Sequence, residues 1–442
     1  MALHADTINP QFVRLLRTIR FDRRWARAEG AYIYDADGDA YLDLLGGFGM
    51  FAVGRNNPHI RDALVEALSL ETPGSVQLGV WSLPAVLARE LLARVPDRLG
   101  RVAFCSSGTE AVEAALKLSR AATGRSRVVS CEGSFHGMTL GSLSAGGSKD
   151  FTDPFGPLLP GFSRVQFNDL DALERELASD DVALFLTEPV QGKGVVLPEP
   201  GFLEGAQELC RRHGTLFGVD EVLTGFGRTG RTFAFEHWGL EPDVVTVSKA
   251  MSGGYVPSGA CIVRTDVFDA VFDSLEHAVR HGSTFAPNDL AMAAGLATLH
   301  ELESEQLVER SQRLGNLLLE LTGPLRDRYD VVRDVRGLGL MWGIEFGEPR
   351  RRKTSWRMLE RRQPGLFAQL VIGRLFNEHH MLTQVAGHRM NVIRITPPLT
   401  IAEADVERFA SALESTIARA ERIPSAFARM AARTAAHTIT HR

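Results

Sequence analysis

The chain has 442 residues, of which 44% are hydrophobic and 23% charged, with a formal net charge of -5. This is the composition of a soluble globular protein with one large domain and a smaller one. The small acidic excess excludes a mainly nucleic-acid-binding surface, because phosphate binding needs clustered basic residues. Four widely spaced cysteines without a CxxC pair predict neither a disulfide framework nor a metal site.

The sequence also lacks the signals of export and membrane insertion. The N-terminus MALHADTINP has no basic start followed by an apolar stretch. No run approaches the ~20 apolar residues that a membrane-spanning helix needs. We therefore expect a cytoplasmic protein that acts on small molecules.

The N-terminal region predicts a β-hairpin followed by helices. Residues 30–45 alternate apolar and polar positions around an Asp-Gly turn, which is typical of a hairpin. Apolar positions at helical spacing predict one helix from Pro58 to Leu70 and another from Leu83 to Val95. We assign residues 1–75 to an N-terminal segment that contributes to the small domain.

The central region predicts an α/β sheet. Short apolar strands alternate with helical patterns from about residue 100 to residue 300, which is typical of βαβ units. The predicted strands are RVAFCS, RVVSC, VALFLTEP, GTLFGVDEV, DVVTVSK and GACIVRT. Helices are predicted next at 289–301 and 306–329. We assign residues 76–325 to the large domain.

The C-terminal region predicts a second, smaller α+β domain over residues 326–442. It contains two strand regions, VRGLGLMWGIEF and NVIRITPPL. The charged stretch between them, EPRRRKTSWRMLERRQ, is most simply a solvated insertion, with a polyanion site as the alternative. The last twenty residues are Ala-rich and predict either a helix or a frayed tail.

A strand-loop-helix junction follows the first strand of the sheet. Strand VAFCS leads through Ser106 to Thr109 into a segment with helical apolar spacing. Small residues at a helix N-terminus leave backbone N–H groups free, and their partial positive charge suits a phosphate. Ser107, Gly108 and Thr109 are the candidate ligands. The alternative is that a hydroxyl simply caps the helix, with Glu110 in its first turn.

Two strand ends bring carboxylates and a lysine toward one edge of the predicted sheet. GTLFGVD ends at Asp220 and Glu221, and DVVTVSK ends at Lys249. Open α/β sheets bind ligands at the carboxyl ends of their strands. A lysine in a poorly solvated pocket has a lowered pKa and becomes a nucleophile that forms a Schiff base with a carbonyl. From spacing alone, a strand-end ion pair is an equally good interpretation.

Eight segments together resemble the class III aminotransferases, which depend on pyridoxal 5′-phosphate (PLP). In chain order they are LGGFGMFAVGRNNP, SSGTEAVEAALKLSR, SFHGMTLGSLS, TEPVQGKGVV, GVDEVLTGFGRTG, VSKAMSGGYVPSGA, GSTFAPNDLA and VIRITPPLT. The resemblance covers roughly residues 30–415 and is closest in motif to the putrescine, ornithine and acetylornithine aminotransferases. It implies fold type I, the aspartate aminotransferase-like α/β architecture with a mostly parallel, seven-stranded sheet in a large domain and a smaller α+β domain.

The resemblance implies roles for the lysine, the aspartate and the helix junction. Lys249 is implied to hold PLP through a Schiff base. Asp220 is implied to pair with the pyridine nitrogen, which must stay protonated for PLP to store the substrate's electrons. Ser107, Gly108 and Thr109 are implied to bind the phosphate.

Five further residues match family positions around the cofactor. Phe135 and Val222 are implied to cover the two faces of the ring. For His136, packing near the ring is favoured over metal ligation, because no second His or Cys has suitable spacing. Glu188 matches a carboxylate near the active centre, where a structural role is at least as good an interpretation as a chemical one. Thr284 matches a threonine that reaches the phosphate of the neighbouring subunit, which implies a homodimer with shared sites.

Of the residues expected to recognise the substrate, one matches the family pattern and one differs from it. Arg394 matches the family arginine that grips an α-carboxylate through a two-pronged hydrogen bond. Many relatives pair this arginine with a glutamate after the QG of EPxQG, whereas this chain has Lys193. How Arg394 is neutralised when a substrate lacks a carboxylate is therefore open. Phe48, Phe51 and Trp81 are candidates for an apolar substrate pocket, with ordinary core packing as the alternative.

The implied function is that of a PLP-dependent aminotransferase (EC 2.6.1.-). It would move an amino group from an amine or ω-amino donor to a keto acid or aldehyde acceptor by a ping-pong Schiff-base mechanism. Lys249 would act as nucleophile and then as base and acid. The alternatives are another PLP reaction on the same fold, such as that of an aminomutase, decarboxylase or epimerase, and, remotely, a non-catalytic binding protein. A keto-acid requirement separates the aminotransferase from a mutase.

Overall fold

The computed structural model describes residues 2–72, 79–349, 356–357, 364–387 and 390–422. Most of the charged stretch, with its predicted solvated insertion or polyanion site, and the last twenty residues, with their predicted helix or frayed tail, lie outside the described residues. The strands are β1 Trp25–Glu29, β2 Tyr32–Asp35, β3 Ala40–Asp43, β4 Leu99–Cys105, β5 Arg127–Cys131, β6 Phe162–Val165, β7 Val182–Thr187, β8 Leu216–Asp220, β9 Val244–Val247, β10 Gly259–Arg264, β11 Val332–Leu338, β12 Met341–Phe346, β13 Met381–Leu382, β14 Gln384–Val385 and β15 Val392–Ile395.

A seven-stranded sheet in the order β4-β10-β9-β8-β7-β5-β6 forms the centre of the molecule. Strands β5 to β9 pair in parallel, whereas β10 runs antiparallel to both of its neighbours, β4 and β9. Strands β7, β8 and β9 are buried at every position, as expected when helices cover both faces of a sheet. The predicted fold type I sheet is confirmed, and GACIVRT supplies its one antiparallel strand among the described residues.

Helices pack around the sheets, and the structure has more of them than the sequence predicts. They lie at Ala2–Thr7, Pro10–Ile19, Gly46–Gly49, Pro58–Ser69, Ser82–Leu92, Gly108–Thr123, Leu140–Ala145, Lys149–Thr152, Leu170–Leu177, Phe202–His213, Thr265–Asp269, Asp289–Ser304, Leu307–Thr322, Leu325–Arg328, Leu366–His379 and Glu403–Arg422. Short 3-10 helices lie at Asp153–Phe155, Ala234–Trp238, Lys249–Ser252 and Leu275–His277. None of the described helices is both long and apolar enough to cross a membrane.

Several helices differ from the sequence predictions, and two regions show why. The helix at Pro10–Ile19 was not predicted, although Asn9 caps it and proline suits its first position. The predicted helix 306–329 is two helices, Leu307–Thr322 and Leu325–Arg328. The break falls at Gly323 and Pro324, because proline has no N–H to continue the ladder and glycine is a poor helix former.

Two four-stranded sheets flank the central one, in the orders β1-β2-β3-β13 and β11-β12-β15-β14. The predicted hairpin is confirmed as β2 and β3, which pair antiparallel. Strand β13 pairs parallel with β3 and places Met381 opposite Leu42, so segments far apart in the chain share this sheet. The other sheet is antiparallel throughout and contains both predicted C-terminal strand regions.

Candidate active site

The parallel strands bring most of the predicted site residues to one edge of the central sheet. Asp220 is the last residue of β8, Lys249 follows the end of β9, and Glu188 follows β7. Ser107 lies just beyond β4, whose carboxyl end is at the same edge because β4 and β9 both oppose β10. Strands β8 and β9 are neighbours, so Asp220 and Lys249 meet at this edge.

Asp220 is fixed by three hydrogen bonds. One oxygen accepts from the backbone N–H of Val222 at 3.0 Å and from the hydroxyl of Thr246 at 3.1 Å. The other lies 2.7 Å from Nδ1 of His136. Burial opposes protonation of His136, but the hydrogen bond to Asp220 and the charges of Asp220 and Glu188 raise its pKa overall. His136 therefore orients the aspartate, which is a more specific role than packing.

Lys249 has an unusual backbone and a poorly solvated amine. Its φ of 41° lies in the left-handed region, where a residue other than glycine costs about 1–3 kcal/mol. Desolvation lowers the pKa of Lys249 to about 8, with the charge of Arg394 adding to the decrease and that of Asp220 opposing it. Lys249 as a whole residue is half-buried. An amine with these properties is both reachable and nucleophilic near neutral pH.

The helix junction after β4 combines a cap with unsatisfied donors. Ser107 caps the helix Gly108–Thr123, and the carboxylate of Glu110 accepts from the backbone N–H of Ser106 at 2.7 Å. Capping does not remove the anion site, because first-turn amides have no acceptor within the helix. Among the described residues, the buried hydroxyl of Ser106 has no hydrogen-bond partner. This orphaned group fits a bound phosphate.

The close approach of Gly108 to β8 and the loop after it makes this junction a cradle. A Cβ on Gly108 would lie 2.9 Å from Cγ1 of Val222, so only glycine fits without displacement. The hydroxyl of Thr109 instead contacts the hydroxyls of Thr139 and Ser142 at 2.8 and 2.6 Å. Thr109 therefore has its backbone amide, rather than its hydroxyl, to offer a phosphate.

Phe135 and Glu188 form a second wall of the site. The Phe135 ring is 38% exposed and packs edge-to-face against Phe151, with the ring centroids 5.4 Å apart. One oxygen of Glu188 accepts from the backbone N–H of Phe135 at 3.1 Å, and the other from that of Gly192 at 2.9 Å. Burial raises the pKa of Glu188. Glu188 thus fixes two backbone segments, which supports its structural interpretation.

Arg394 lies on β15 and is largely buried. Its Nη1 donates to the carbonyl of Gly192 at 2.5 Å. A guanidinium carries only donors, so the amide of Gln384 presents its oxygen, which accepts from Nε at 3.2 Å and also from Nη2. Desolvation lowers the pKa of Arg394 to about 10, and the charge of Glu188 opposes that change.

Lys193, which replaces the family glutamate, points away from Arg394. Its ammonium donates to the hydroxyl of Ser148 and lies 3.8 Å from the carboxylate of Asp150. The same ammonium lies 5.5 Å from the centroid of the Phe151 ring. The side chain is therefore engaged by the segment that supports Phe135.

Thr284 is exposed and lines an open cleft of about 950 Å³. Ser106 and Glu110, at the helix junction, line the same cleft. Phe285, also on its wall, is 76% exposed. The threonine is thus on the surface, beside the junction that could hold a phosphate.

The three aromatic candidates for a substrate pocket have different surroundings. Phe51 lies 4.1 Å from the guanidinium of Arg55 and close to Gly254, which is a packing environment. Phe48 is 55% exposed, and Trp81 is half-buried at the start of the helix Ser82–Leu92. Their role in a substrate pocket stays a prediction.

Sequence reasoning missed Ser106, Thr246 and Gln384. Thr246 has a signal, since it is the polar residue in the buried strand VVTV. Ser106 adjoins the predicted loop. Gln384 has no local signal, because the two-residue strand β14 is too short to show periodicity.

A seven-stranded sheet of this order, with a lysine, an aspartate and a helix N-terminus at its carboxyl edge, is the architecture of the fold type I PLP-dependent transferases. The sequence model of the family "Aminotransferase class-III" matches residues 19–417. The chain therefore belongs to the class-III aminotransferases, which use PLP.

Individual relatives agree with this assignment. The chain is 37% identical over 439 residues to the aminotransferase PigE of Serratia sp. (strain ATCC 39006), with 92% of this chain and 52% of that protein covered. It thus spans about half the length of that curated relative. The ornithine aminotransferase of Toxoplasma gondii is 28% identical with a TM-score of 0.82, covering 94% of this chain and 96% of that one. A PLP-bound amine transaminase from an uncultivated Pseudomonas species is 32% identical with a TM-score of 0.79, covering 90% and 95%.

Proposed function

We propose that this chain transfers an amino group from an amine or ω-amino donor to a keto acid or aldehyde acceptor, with Lys249 as the residue that bonds to PLP. The observation that carries the proposal is the desolvated amine of Lys249 next to Asp220, at the ends of neighbouring strands. When bound, PLP supplies an aldehyde that an amine holds covalently and a ring that withdraws electrons from the substrate.

Lys249 and Asp220 have separate tasks in this proposal. Lys249 would hold PLP through its amine and, when that amine is free, would take up and return the proton of the substrate carbon that bears the amino group. A pKa of about 8 suits this exchange, because the amine gains and loses protons readily near neutral pH. Asp220, oriented by His136, keeps a proton on the pyridine nitrogen.

The remaining cofactor contacts come from the junction after β4 and the walls of the site. The orphaned hydroxyl of Ser106 supports phosphate binding by the neighbouring Ser107, Gly108 and Thr109. The exposed ring of Phe135 and the side chain of Val222, which borders Gly108, are proposed to cover the two faces of the cofactor.

The proposed substrates are an amine donor with an apolar body and a keto acid or aldehyde acceptor. Arg394 would bind a substrate carboxylate, and Phe48, Phe51 and Trp81 would supply apolar walls. A specificity of the putrescine, ornithine or acetylornithine type is supported by the motifs and by the similarity to an ornithine aminotransferase.

We further propose a homodimer in which Thr284 of one subunit reaches the phosphate in the other. The cleft beside Ser106 is open in the single chain, and exposed apolar side chains such as Phe285 and Leu68 (66% exposed) line it. A second copy would cover them. Light scattering should give about twice the chain mass of 48.4 kDa, and Phe285→Asp should give a single-chain mass with weaker PLP binding. A single-chain mass for the wild type would contradict the dimer.

The proposal also includes the domain boundaries and the cellular location. We place the domain boundaries near residues 75 and 325, where the sequence pattern changes. A cytoplasmic location is supported by the four buried, unpaired cysteines, which suit a reducing compartment.

The visible spectrum of the purified protein tests the central claim. An absorption band of lysine-bound PLP should disappear on addition of putrescine, lysine or a medium-chain alkylamine and return with pyruvate or 2-oxoglutarate. Lys249→Ala should abolish the cycle, while Lys149→Ala, at an exposed position, should retain it. Turnover without any keto acid would favour an aminomutase, and absence of a cofactor band after addition of PLP would refute the proposal.

A further inference from the structure

Arg394 has only neutral hydrogen-bond partners among the described residues. Its three hydrogen bonds go to the carbonyl oxygen of Gly192 and, twice, to the amide oxygen of Gln384. Over the described part of the chain, no carboxylate oxygen lies within 4.0 Å of its guanidinium nitrogens. A largely buried arginine usually has an acidic partner, so this arrangement calls for an explanation.

The nearby ionisable groups are committed to other partners. Both oxygens of Glu188 accept backbone N–H groups, from Phe135 and Gly192. The ammonium of Lys193 is bound to Ser148 and turned toward Asp150. The charge of Arg394 is therefore not neutralised by direct contact with Glu188.

The geometry leaves the guanidinium able to bind a carboxylate. Arginine has five N–H donors, and Arg394 uses one on Nε, one on Nη1 and one on Nη2. One N–H remains on each terminal nitrogen, so two donors are left for a carboxylate. Gln384 lies directly opposite Arg394 in the register of β14 and β15, so the backbone determines its position.

We propose that Gln384 is a positioning residue that holds Arg394 through a neutral oxygen and thereby keeps its positive charge available to a substrate carboxylate. This inference rests on the proposed function and specifies how one site serves two kinds of substrate. The carboxylate of a keto acid binds without displacing an internal anion. A substrate without a carboxylate leaves the guanidinium bonded to Gln384 and Gly192.

Binding of propanoate, a carboxylate with no amino or keto group, tests this directly. Calorimetric titration of the PLP-loaded protein compares the wild type with Gln384→Glu, Gln384→Met and Gln207→Glu. Gln384→Glu should weaken propanoate binding by about tenfold or more, because the new carboxylate occupies the guanidinium. Gln384→Met keeps the charge free but loses the two hydrogen bonds that position the guanidinium, so it should weaken binding by about threefold, clearly less than Gln384→Glu. Gln207→Glu makes the same chemical change on a distant helix and should have no effect.

A second measurement separates substrates with and without a carboxylate. In single-turnover reactions, Gln384→Glu should raise the pyruvate concentration needed for half-maximal rate by about tenfold and the alkylamine concentration needed by less than about threefold. The proposal is overturned if the wild type does not bind propanoate, if Gln384→Glu binds it as the wild type does, or if Gln384→Met is equally weak. Failure of the aminotransferase proposal would look different: propanoate would bind, but amines and keto acids would not change the cofactor spectrum.

Discussion

The reaction of Lys249 with an aldehyde should depend on pH in a way that its surroundings determine. Only a neutral amine attacks, and desolvation lowers the pKa of Lys249 from 10.5 to about 8. At pH 7, about 10% of the amine is then neutral, against about 0.03% for an ordinary lysine, a difference of about 300-fold. Stopped-flow mixing of cofactor-free protein with PLP should show a rate that rises steeply to about pH 8 and then levels off.

Two variants test the direction in which neighbouring charges shift the pKa of Lys249. Arg394→Met removes a positive charge and should raise the pKa of Lys249, which moves the midpoint of the rate profile upward. Glu188→Gln removes a negative charge and should move it downward. The same pH series with Nα-acetyl-lysine as the amine corrects for the titration of PLP itself. A rate that still rises about tenfold per pH unit between pH 8.5 and 10 would refute the reasoning, because it would indicate an unshifted lysine.

Three other substitutions test the cradle, the helices and a buried acid. Gly108→Ala should lower PLP affinity by about tenfold, because the new Cβ would lie 2.9 Å from Val222. Fluorescence titration of the cofactor-free protein measures this affinity, and an unchanged value would contradict the prediction. Gly373→Ala, in open space inside the helix Leu366–His379, should raise the free energy of unfolding by about 0.5–1 kcal/mol in urea denaturation, and a decrease would show an unrecognised contact. Burial raises the pKa of Glu221 from 4.5 to about 7. The folded chain therefore holds this proton more tightly than the unfolded chain. The resulting stabilisation is fully present below about pH 4.5 and is lost as the pH rises through about 7. Glu221→Gln should therefore flatten the fall in melting temperature between pH 5 and 8, and an unchanged slope would argue against a shifted Glu221.

The large sheet could be predicted from the sequence because its strands are short apolar runs between helical segments. Strands β8 and β9 are entirely buried, and the polar residues that end the predicted segments, Asp220 and Lys249, stand out against them. The direction of β10 could not be read in the same way. Its apolar pattern is that of any buried strand, and only the chain path decides that it runs antiparallel.

The hydrogen-bond partners of side chains within the site could not be predicted from local sequence patterns. The hydrogen bond between His136 and Asp220 joins the segment after β5 to the end of β8, and neither segment alone indicates the other as its partner. Gln384 meets Arg394 through a two-residue strand that has no detectable period. Such contacts depend on the packing of the sheets, which one sequence does not encode in any short window.

The position of β10 between β4 and β9 affects how the protein matures. The junction proposed to bind the phosphate follows β4, yet among the described strands β4 pairs only with β10, which is synthesised much later. Gly259, at the start of β10, lies so close to the carbonyl of Ser107 that a Cβ there would be 2.5 Å from its oxygen. Contacts between distant parts of a chain form slowly, because the intervening loop must close first. Binding of the cofactor during synthesis should therefore wait until β10 has emerged from the ribosome and paired with β4. A nascent chain that ends before residue 259 would contain both β8 and the junction, but its cradle would be incomplete.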